Sequence, residues 1–452
     1  MPQAADLKRA IGFWGGVAIV VGSVIGSGIF RTPAEIAKVL HDPPTILALW
    51  VLFGVVSLCG ALTLAELATL LPKTGGTYVY LRAAYGDSAA FVFGWLYLLV
   101  AIPSGMGALS TVFSERLLEF FYPQASDAPV ALLRGIAIGT IAFLSLANIV
   151  GVRLGSAIQG VLAIVKVGAL AAMIAIVVAL GRGDWGHVTA RAAVSPGGVA
   201  EAAKNVIFAY NAWVYIGLVA GEVTDIERRL KRIIIVGMAT IIVLYLGANL
   251  AYFYMLPVEA MASEQIVARR VMRDLFGNAG AAVMGACIMA SVFGALNGVV
   301  LTKSRVAYAL SRDGLTFGVL GRCHPRFATP YVSILVQGAV AVALVFWLKD
   351  FKRLTTYFVV VEWFALIFAI AAVFVLRRKM PDAPRPFRTP LYPWVPLVFV
   401  VGTTLGLASI VWSNARERDF APLAGLGLAL SGFPVYWIWR RKYNVRQSGR
   451  AP

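Results

Sequence analysis

The sequence predicts an all-α, polytopic membrane protein, and three observations lead to this fold class. Of the 452 residues, 60% are apolar and only 14% are charged, whereas a soluble protein carries about 25% charged residues. The mean hydropathy is +0.80. Apolar runs of about 20 residues recur along the whole chain, and an α-helix of that length crosses a bilayer. A soluble fold is therefore excluded.

The apolar runs divide the chain into twelve predicted membrane spans, each bounded by polar, glycine-rich or proline-rich segments. In chain order, spans 1 to 12 cover residues 11–38, 44–71, 86–114, 131–150, 155–181, 199–223, 231–256, 276–311, 330–348, 354–377, 393–413 and 420–439. Residues 1–10 and 441–452 are predicted to be cytosolic tails.

The charged residues orient the spans. With both termini in the cytosol, most of the 40 Lys and Arg residues fall on the cytosolic side, as the positive-inside rule requires. The net charge of +18 is therefore a topology signal in a cytoplasmic membrane. Lipid head groups, and not nucleic acid, are the expected neighbours. Cys59, Cys287 and Cys323 imply no disulfide framework, and we expect neither a metal site nor a cofactor.

Spans 1 and 6 are interrupted in mid-membrane, unlike the other spans. Residues 22–30 contain three glycines and two serines, and residues 208–213 form an aromatic and amide cluster. Interruptions at corresponding positions of two halves point to an inverted-repeat transporter, because discontinuous helices present their ends to a ligand at the midplane. We therefore expect a first repeat over residues 11–181, a second over 199–377, and two appended spans within 378–440.

The two interruptions together predict a site for a zwitterion. If span 1 unwinds at Gly26, its second half begins at Ser27 or Gly28 with free N–H groups and a positive dipole end, which suit a carboxylate. Carbonyl groups released near Tyr210 in span 6 would coordinate an ammonium group. The alternatives are that the small residues only let two helices pack closely, and that Tyr210 and Trp213 are packing aromatics.

Two charged residues lie well inside predicted spans. Lys166 is eleven residues into span 5, and because a buried ammonium is costly it needs partners. Carbonyls released in span 1 are the expected partners, so that the ammonium occupies space a sodium ion would use. Proton carriage and snorkelling to the cytosolic edge are the alternatives. Glu362 in span 10 either titrates during transport or accepts a hydrogen bond from a neighbouring helix.

Three further charged residues near the span ends are expected to form structural pairs. Glu66 and Glu222 are expected to pair with Arg305 or with a basic loop. Arg31, just past the interruption in span 1, either forms such a pair or belongs to an outer gate.

Several motifs resemble the amino acid, polyamine and organocation (APC) transporter superfamily. In the first half the resemblance lies in Gly26–Phe30, Ala65–Leu67 and Pro72–Tyr80. In the second half Phe208–Trp213, Leu244–Tyr245, Asn249–Phe253, Phe293–Gly298, Ser304–Arg305 and Ser311–Gly314 look like the L-type amino acid transporter (LAT) branch. The resemblance covers roughly residues 11–390.

The resemblance implies a LeuT-type fold of five plus five helices. The implied substrate-binding residues are Val24, Gly26, Ser27, Gly28, Phe208, Ala209, Tyr210 and Asn211. Among them, Ser27 and Gly28 would donate N–H groups to the substrate carboxylate. The amino group would meet carbonyls at the positions of Val24, Phe208, Ala209 and Asn211. The implied transport and gating residues are Lys166, Phe208, Tyr245 and Asn297, with Phe208 as an aromatic lid and Lys166 in place of a sodium site.

The sequence departs from the LAT pattern at two points. Asn211 and Ala212 stand where the branch commonly has glycines, so their side chains should narrow the pocket and disfavour large aromatic substrates. Residues 115–130 contain no cysteine, where animal members bind a glycoprotein heavy chain through a disulfide bond. No disulfide-linked heavy chain is therefore expected, and the resemblance implies a prokaryotic transporter that acts unpaired.

These observations predict sodium-independent transport of neutral L-amino acids by alternating access, as exchange or facilitated diffusion. A proton-coupled symporter with Lys166 or Glu362 as the carrier is one alternative. A cationic amino acid or polyamine transporter is another alternative. It would need a carboxylate near the interruptions to bind the distal positive charge of the substrate, and the sequence has none there. A membrane enzyme would need clustered acids with a metal, or a nucleophile with its base, and the sequence shows no such grouping.

Overall fold

A computed structural model describes residues 7, 9–121, 129–347, 351–416, 427 and 430–441. Within these ranges the regular structure is helical, apart from one isolated bridge between Ile11 and Val223. The first helices are α1 (Phe13–Val24), α2 (Gly28–Ala37), α3 (Pro43–Leu70), α4 (Thr77–Tyr85), α5 (Asp87–Leu96), α6 (Ile102–Phe121), α7 (Val130–Val150), α8 (Val152–Leu180) and α9 (Trp185–Thr189). A π-helix over Tyr97–Ala101 joins α5 to α6.

The remaining helices lie in the second half of the chain. They are α10 (Pro196–Ala209), α11 (Tyr215–Leu218), α12 (Ile226–Met255), α13 (Val258–Ala262), α14 (Val267–Arg312), α15 (Tyr331–Trp347), α16 (Phe351–Lys379) and α17 (Trp394–Arg416). Two short 3₁₀ turns cover Ala220–Glu222 and Gly318–Gly321. Residues 430–441 are also helical.

Nine helical segments in the described ranges are long and apolar enough to cross a membrane. They are Phe13–Ala37, Pro43–Leu70, Asp87–Phe121, Val130–Val150, Leu154–Leu180, Ile226–Met255, Val267–Arg312, Val360–Lys379 and Trp394–Trp412. The predicted fold class, an all-helical polytopic membrane protein, is confirmed. The count of twelve spans and the two repeats stay predictions, and part of the last predicted span, 420–439, lies outside the described residues.

Helix α14 is broken close to the predicted start of the eighth span. It covers Val267–Arg312, but Gly277 has a φ of +63° and a ψ of −151°, so a shorter helix ends there and the apolar helix begins near the predicted residue 276. The segment before the bend contains Arg269, Arg270 and Asp274, and its charge hid it from a search for apolar runs. The positive φ at the bend requires a residue without a Cβ.

Helix α3 begins at a capped and buried carboxylate. Asp42 accepts hydrogen bonds from the Thr45 amide at 3.0 Å, the Thr45 hydroxyl at 2.6 Å and the Ala192 amide at 3.1 Å. Burial alone would raise the pKa of Asp42. The hydrogen bonds from Thr45 and Ala192, with the Arg191 guanidinium nearby, outweigh burial and hold that pKa below its usual value. The cap therefore joins the start of α3 to the segment that precedes α10.

Helix α8 separates the outside of the bundle from the site. Ile164 and Val178 are largely exposed on one face of α8, as lipid-facing residues are, whereas Lys166 is fully buried on the other. That buried face packs against α1 and α14, and α14 also packs against α6. These contacts bring polar side chains of α8 and α14 against the interruption after α1.

Candidate functional site

The first interruption releases backbone groups between α1 and α2. Helix α1 ends at Val24 and α2 begins at Gly28. The Gly26 N–H bonds to Val24 O at 2.8 Å, and not to Gly22 O as it would in a continuous helix. Among the described residues, no acceptor contacts the Ser27 N–H. The Gly28 N–H lies in the first turn of α2, where a helix supplies no acceptor of its own.

The second interruption lies between α10 and α11. Helix α10 ends at Ala209 and α11 begins at Tyr215. In the turn between them Ala212 has a φ of +80°, a left-handed conformation that glycine adopts without steric cost. The Asn211 Oδ1 accepts a hydrogen bond of 2.7 Å from the Ala212 N–H. The same turn leaves the Asn211 Nδ2 buried with no partner among the described residues.

The two interruptions meet at van der Waals distance. A Cβ added to Gly28 would lie 3.0 Å from the Cα of Ala209, so the absence of a side chain at Gly28 permits this approach. The Tyr245 hydroxyl of α12 lies 3.0 Å from Val24 O and 3.1 Å from Ala209 O. With its one proton it donates to these two carbonyls, and it therefore holds the ends of α1 and α10 together.

A cavity of about 70 Å³ opens where the interruptions meet. Its lining contains uncharged residues from both interruptions and from α6 and α14: Ser23, Val24, Gly26, Ser27, Gly28, Gly105, Ala108, Leu109, Phe208, Ala209, Asn211, Ala212, Tyr215, Ala295 and Val299. Seven of the eight substrate-binding residues implied by the resemblance line this cavity. The eighth, Tyr210, does not.

The Tyr210 side chain turns away from the cavity. Its ring packs 5.7 Å from the Trp50 ring and 5.1 Å from the Tyr245 ring, measured between centroids. Its hydroxyl is buried and has no partner among the described residues. The Tyr210 side chain therefore packs against other helices, which was the alternative given for it in the sequence analysis. Only the backbone of Tyr210 belongs to the interruption.

Lys166 lies directly behind the first interruption. Its Nζ donates a hydrogen bond of 2.6 Å to Gly22 O, the carbonyl that the interruption releases. Ser291 of α14 donates from its hydroxyl to Ile25 O at 3.0 Å and to Gly26 O at 3.1 Å. Sequence reasoning missed Ser291, although a serine that is buried within an apolar span is a signal for such a contact.

Asn297 joins three helices and does not line the cavity. Its Nδ2 donates to Gly155 O and to the Gln159 Oε1, both at 3.0 Å, and its Oδ1 accepts from the Asn148 Nδ2 at 2.9 Å. The residue therefore connects α14 with α8 and α7. The resemblance implied Asn297 as a transport and gating residue, and that role stays a prediction.

Glu362, the acid predicted to lie well inside a span, is part of a buried ion pair. Its Oε2 accepts a hydrogen bond of 2.6 Å from the Lys303 Nζ, and its Oε1 accepts one of 2.6 Å from the Tyr97 hydroxyl. Lys303 was not singled out in the sequence, although it stands inside a predicted span. Glu362 thus accepts hydrogen bonds from neighbouring helices, which is one of its two predicted roles.

The other acids also form structural pairs. Glu222 binds the Arg305 guanidinium through both oxygens, at 2.8 and 3.0 Å, and both side chains are fully buried. Glu66 pairs with Arg377, at 2.8 and 2.9 Å, and with Arg385 of the basic segment that follows α16, at 3.5 Å, as the basic-loop alternative predicted. The pairing expected for Glu222 and Arg305 is therefore confirmed, and Glu66 binds the end of α16.

Arg31 lies near an acid of its own helix. Its Nε is 3.8 Å from the Glu35 carboxylate on an exposed face of α2. This i,i+4 contact fits the structural pair that was one of the two predictions for Arg31.

Two broken helices that meet around a small cavity within a bundle of apolar helices define a class of protein, the multi-pass membrane transporter. The chain belongs to the amino acid permease family, whose model matches residues 11–423. It is an amino acid transporter of the APC superfamily with LAT-type relatives, as its motifs suggested, and not an enzyme.

Individual relatives match over nearly the whole chain. The serine/threonine exchanger SteT of Bacillus subtilis is 30% identical over 440 residues, which cover 96% of this chain and 98% of that protein. The cystine/glutamate transporter of Homo sapiens is 30% identical over 447 residues, covering 97% of this chain and 87% of that protein. The b(0,+)-type amino acid transporter 1 of Mus musculus is 29% identical over 443 residues, covering 97% and 89%.

Proposed function

We propose that this protein carries small neutral L-amino acids across the cytoplasmic membrane without sodium, by exchange or facilitated diffusion. The observation that carries the proposal is the cavity between the two interruptions, where N–H groups at the start of α2 lie close to the end of α10. A substrate carboxylate would bind the Ser27 and Gly28 N–H groups, because a helix N-terminus favours an anion.

The substrate amino group would bind on the opposite side of the cavity. The Val24 and Ala209 carbonyls already accept hydrogen bonds from the Tyr245 hydroxyl. A carbonyl has two lone pairs, so Ala209 O keeps capacity for an ammonium donor beside its hydrogen bond from Tyr245. Tyr245 would thereby fix the distance between the two groups that recognise the zwitterion.

The size and chemistry of the cavity favour small neutral side chains. A group the size of a water molecule needs roughly 10–15 Å³ of cavity volume. A cavity of about 70 Å³ therefore holds about five to seven groups of that size. Alanine and serine are of this size. The lining residues carry no charge, and the Asn211 Nδ2 is a buried donor without an acceptor in the described structure. A substrate hydroxyl would accept a hydrogen bond from that donor. The similarity to a serine/threonine exchanger supports both a small hydroxyl-bearing substrate and transport by exchange.

The position of Lys166 supports sodium independence. Its ammonium lies against Gly22 O, a carbonyl that would otherwise attract a cation to the interruption. In its protonated form Lys166 would repel a sodium ion from this point. Proton coupling through Glu362 has less support, because that carboxylate already accepts hydrogen bonds from Lys303 and Tyr97.

The topology and partners of the protein also belong to this proposal. We place both termini in the cytosol, because this orientation puts most of the Lys and Arg residues inside. We further propose that the chain works without a disulfide-linked heavy chain, since the segment 115–130 contains no cysteine.

Counterflow in proteoliposomes tests the proposed function. Vesicles that contain the purified protein and unlabelled L-serine are expected to take up labelled L-serine, with equal rates in sodium and choline buffers and with no response to a proton ionophore. Uptake that requires sodium or a proton gradient would contradict the proposal. Uptake of L-lysine or putrescine, with no uptake of L-serine or L-alanine, would support the cationic alternative instead.

A further inference from the structure

The buried ion pair between Lys303 and Glu362 lies next to the substrate cavity. The two side chains are 0% and 1% exposed, and their charged atoms are 2.6 Å apart. The Lys303 Nζ is also 4.8 Å from the ring centroid of Tyr215, and Tyr215 lines the cavity. One aromatic ring therefore separates the substrate cavity from a fixed positive charge.

The register of α14 places Lys303 on the cavity side of the helix. Val299 lines the cavity, and residues four apart lie on the same face of an α-helix, so Lys303 is one turn beyond the lining. Tyr97, the first residue of the π-helix, donates its hydroxyl to Glu362 and places its ring 4.8 Å from the Lys303 Nζ. Such π-helical turns are frequent at functional sites.

The net charge of the Lys303–Glu362 pair determines the electrostatic field in the cavity. A paired ammonium and carboxylate produce a weak field at a distance, whereas a single charge in a medium of low dielectric acts strongly on a charged neighbour. Removing one partner leaves the other charge buried and uncompensated. The side chain of an amino acid bound in the cavity, on the other side of the Tyr215 ring, could then bring a compensating charge.

We infer that the Lys303–Glu362 pair determines the charge selectivity of the transporter, because its mutual neutralisation makes the cavity accept neutral side chains. This inference rests on the proposed transport of neutral amino acids and adds the residues that specify it. Lys303 and Glu362 are specificity-determining residues that act through the wall formed by Tyr215.

Single and paired substitutions test the inference in proteoliposomes. Glu362→Gln leaves the ammonium uncompensated, and L-aspartate should compete with labelled L-serine at least tenfold better than in the wild type. Lys303→Met leaves the carboxylate uncompensated, and L-ornithine should gain at least tenfold instead. The neutral double variant Lys303→Met/Glu362→Gln should keep the wild-type order of L-serine, L-aspartate and L-ornithine.

The second buried pair of α14 provides a matched control. Arg305 and Glu222 are as deeply buried as Lys303 and Glu362, but the contact with the Tyr215 ring of the cavity lining is made by Lys303 and not by Arg305. Glu222→Gln should therefore weaken folding without changing the ratio of L-aspartate to L-serine competition. If Glu222→Gln shifts this ratio as much as Glu362→Gln does, the effect is a general response to a buried charge and the inference is wrong.

Glu362→Asp decides the case if Glu362→Gln does not fold. It keeps both charges but retracts the carboxylate by one methylene group, so a smaller shift toward L-aspartate supports the inference and an unchanged ratio overturns it. A wild type that prefers charged amino acids would contradict the proposed function itself. If the wild type prefers neutral amino acids and the folded single variants keep the same preference, the inference is wrong and the proposed function stands.

Discussion

The Lys166 ammonium donates a hydrogen bond of 2.6 Å to the carbonyl of Gly22. In a continuous helix this carbonyl would accept the Gly26 N–H, but Gly26 turns back to Val24 O. The broken helix therefore supplies a hydrogen-bond acceptor within the membrane, and the buried Lys166 ammonium supplies the donor that this carbonyl would otherwise lack. Because the contact joins α8 to α1, we expect it to change when α1 moves during transport.

Lys166→Ala is expected to slow transport more than it weakens folding. A hydrogen bond from a charged group is worth about 1.5–3 kcal/mol, so uptake should fall at least about tenfold. The substitution also removes the cost of burying an ammonium that has no carboxylate partner, and this offsets part of the stability lost with the hydrogen bond. Uptake and thermal unfolding are measured together, and Ile164→Ala, on the lipid-facing side of α8, is the control. Wild-type uptake by a well-folded Lys166→Ala protein would contradict the role of the lysine.

Tyr245→Phe should weaken substrate binding while the helices stay packed. The change removes the hydroxyl that joins Val24 O to Ala209 O, a contribution of about 1 kcal/mol or fivefold in affinity. Tyr252→Phe is the matched control, because its hydroxyl lies on the same helix, buried and with no partner in the described part of the chain. Equal losses of L-serine binding in the two variants, measured by thermal shift, would show that the bridge has no special role.

Asn211→Gly should broaden the substrate range toward bulkier side chains. It removes a side chain from the lining of the cavity, and added room for a methylene group is worth about 1–3 kcal/mol. Competition by L-leucine against labelled L-serine should therefore improve by about fivefold or more. Asn211→Gln keeps the amide and adds a methylene group, so it should not broaden the range. An unchanged substrate profile for Asn211→Gly would show that Asn211 does not line the substrate pocket.

Ala212→Gly should raise the free energy of unfolding by up to about 1 kcal/mol. The alanine has a φ of +80°, and a left-handed conformation costs a residue with a side chain about 1–2 kcal/mol. The greater freedom of glycine in the unfolded chain offsets part of this gain. Thermal unfolding in detergent provides the measurement. Ala203→Gly, inside α10, should lower stability, and similar losses at both positions would show that Ala212 is not strained.

Asp42→Ala should lower the free energy of unfolding by about 1 kcal/mol at neutral pH, the usual effect of losing a helix cap. Because the pKa of Asp42 is held below its usual value, its ionised form stabilises the folded state. This contribution is complete above the unfolded pKa of about 3.9 and is lost as the pH falls through the folded pKa. Thermal unfolding of the two proteins should therefore converge in acid, and a constant difference would contradict an ionised cap.

The contacts of Lys166 and Tyr210 show how far sequence reasoning reached into the site. The lysine needs a partner because a buried charge is costly, and this local requirement was enough to predict a released carbonyl of span 1. Tyr210 offered no such constraint, since an aromatic side chain near an interruption can face the cavity or pack against another helix. Its orientation depends on the tertiary structure, in which the Tyr210 ring packs against Trp50 of α3 and Tyr245 of α12.

The sequence by itself determined that this is a helical membrane transporter and where two of its helices break. These properties follow from local chemistry, because apolar length decides insertion and the glycines near Gly26 decide where a helix can end. Only the tertiary structure decided that Tyr245 bridges the two broken ends and that Glu362 pairs with Lys303. Such contacts join residues far apart in the chain, and they depend on how the helices pack and rotate against one another.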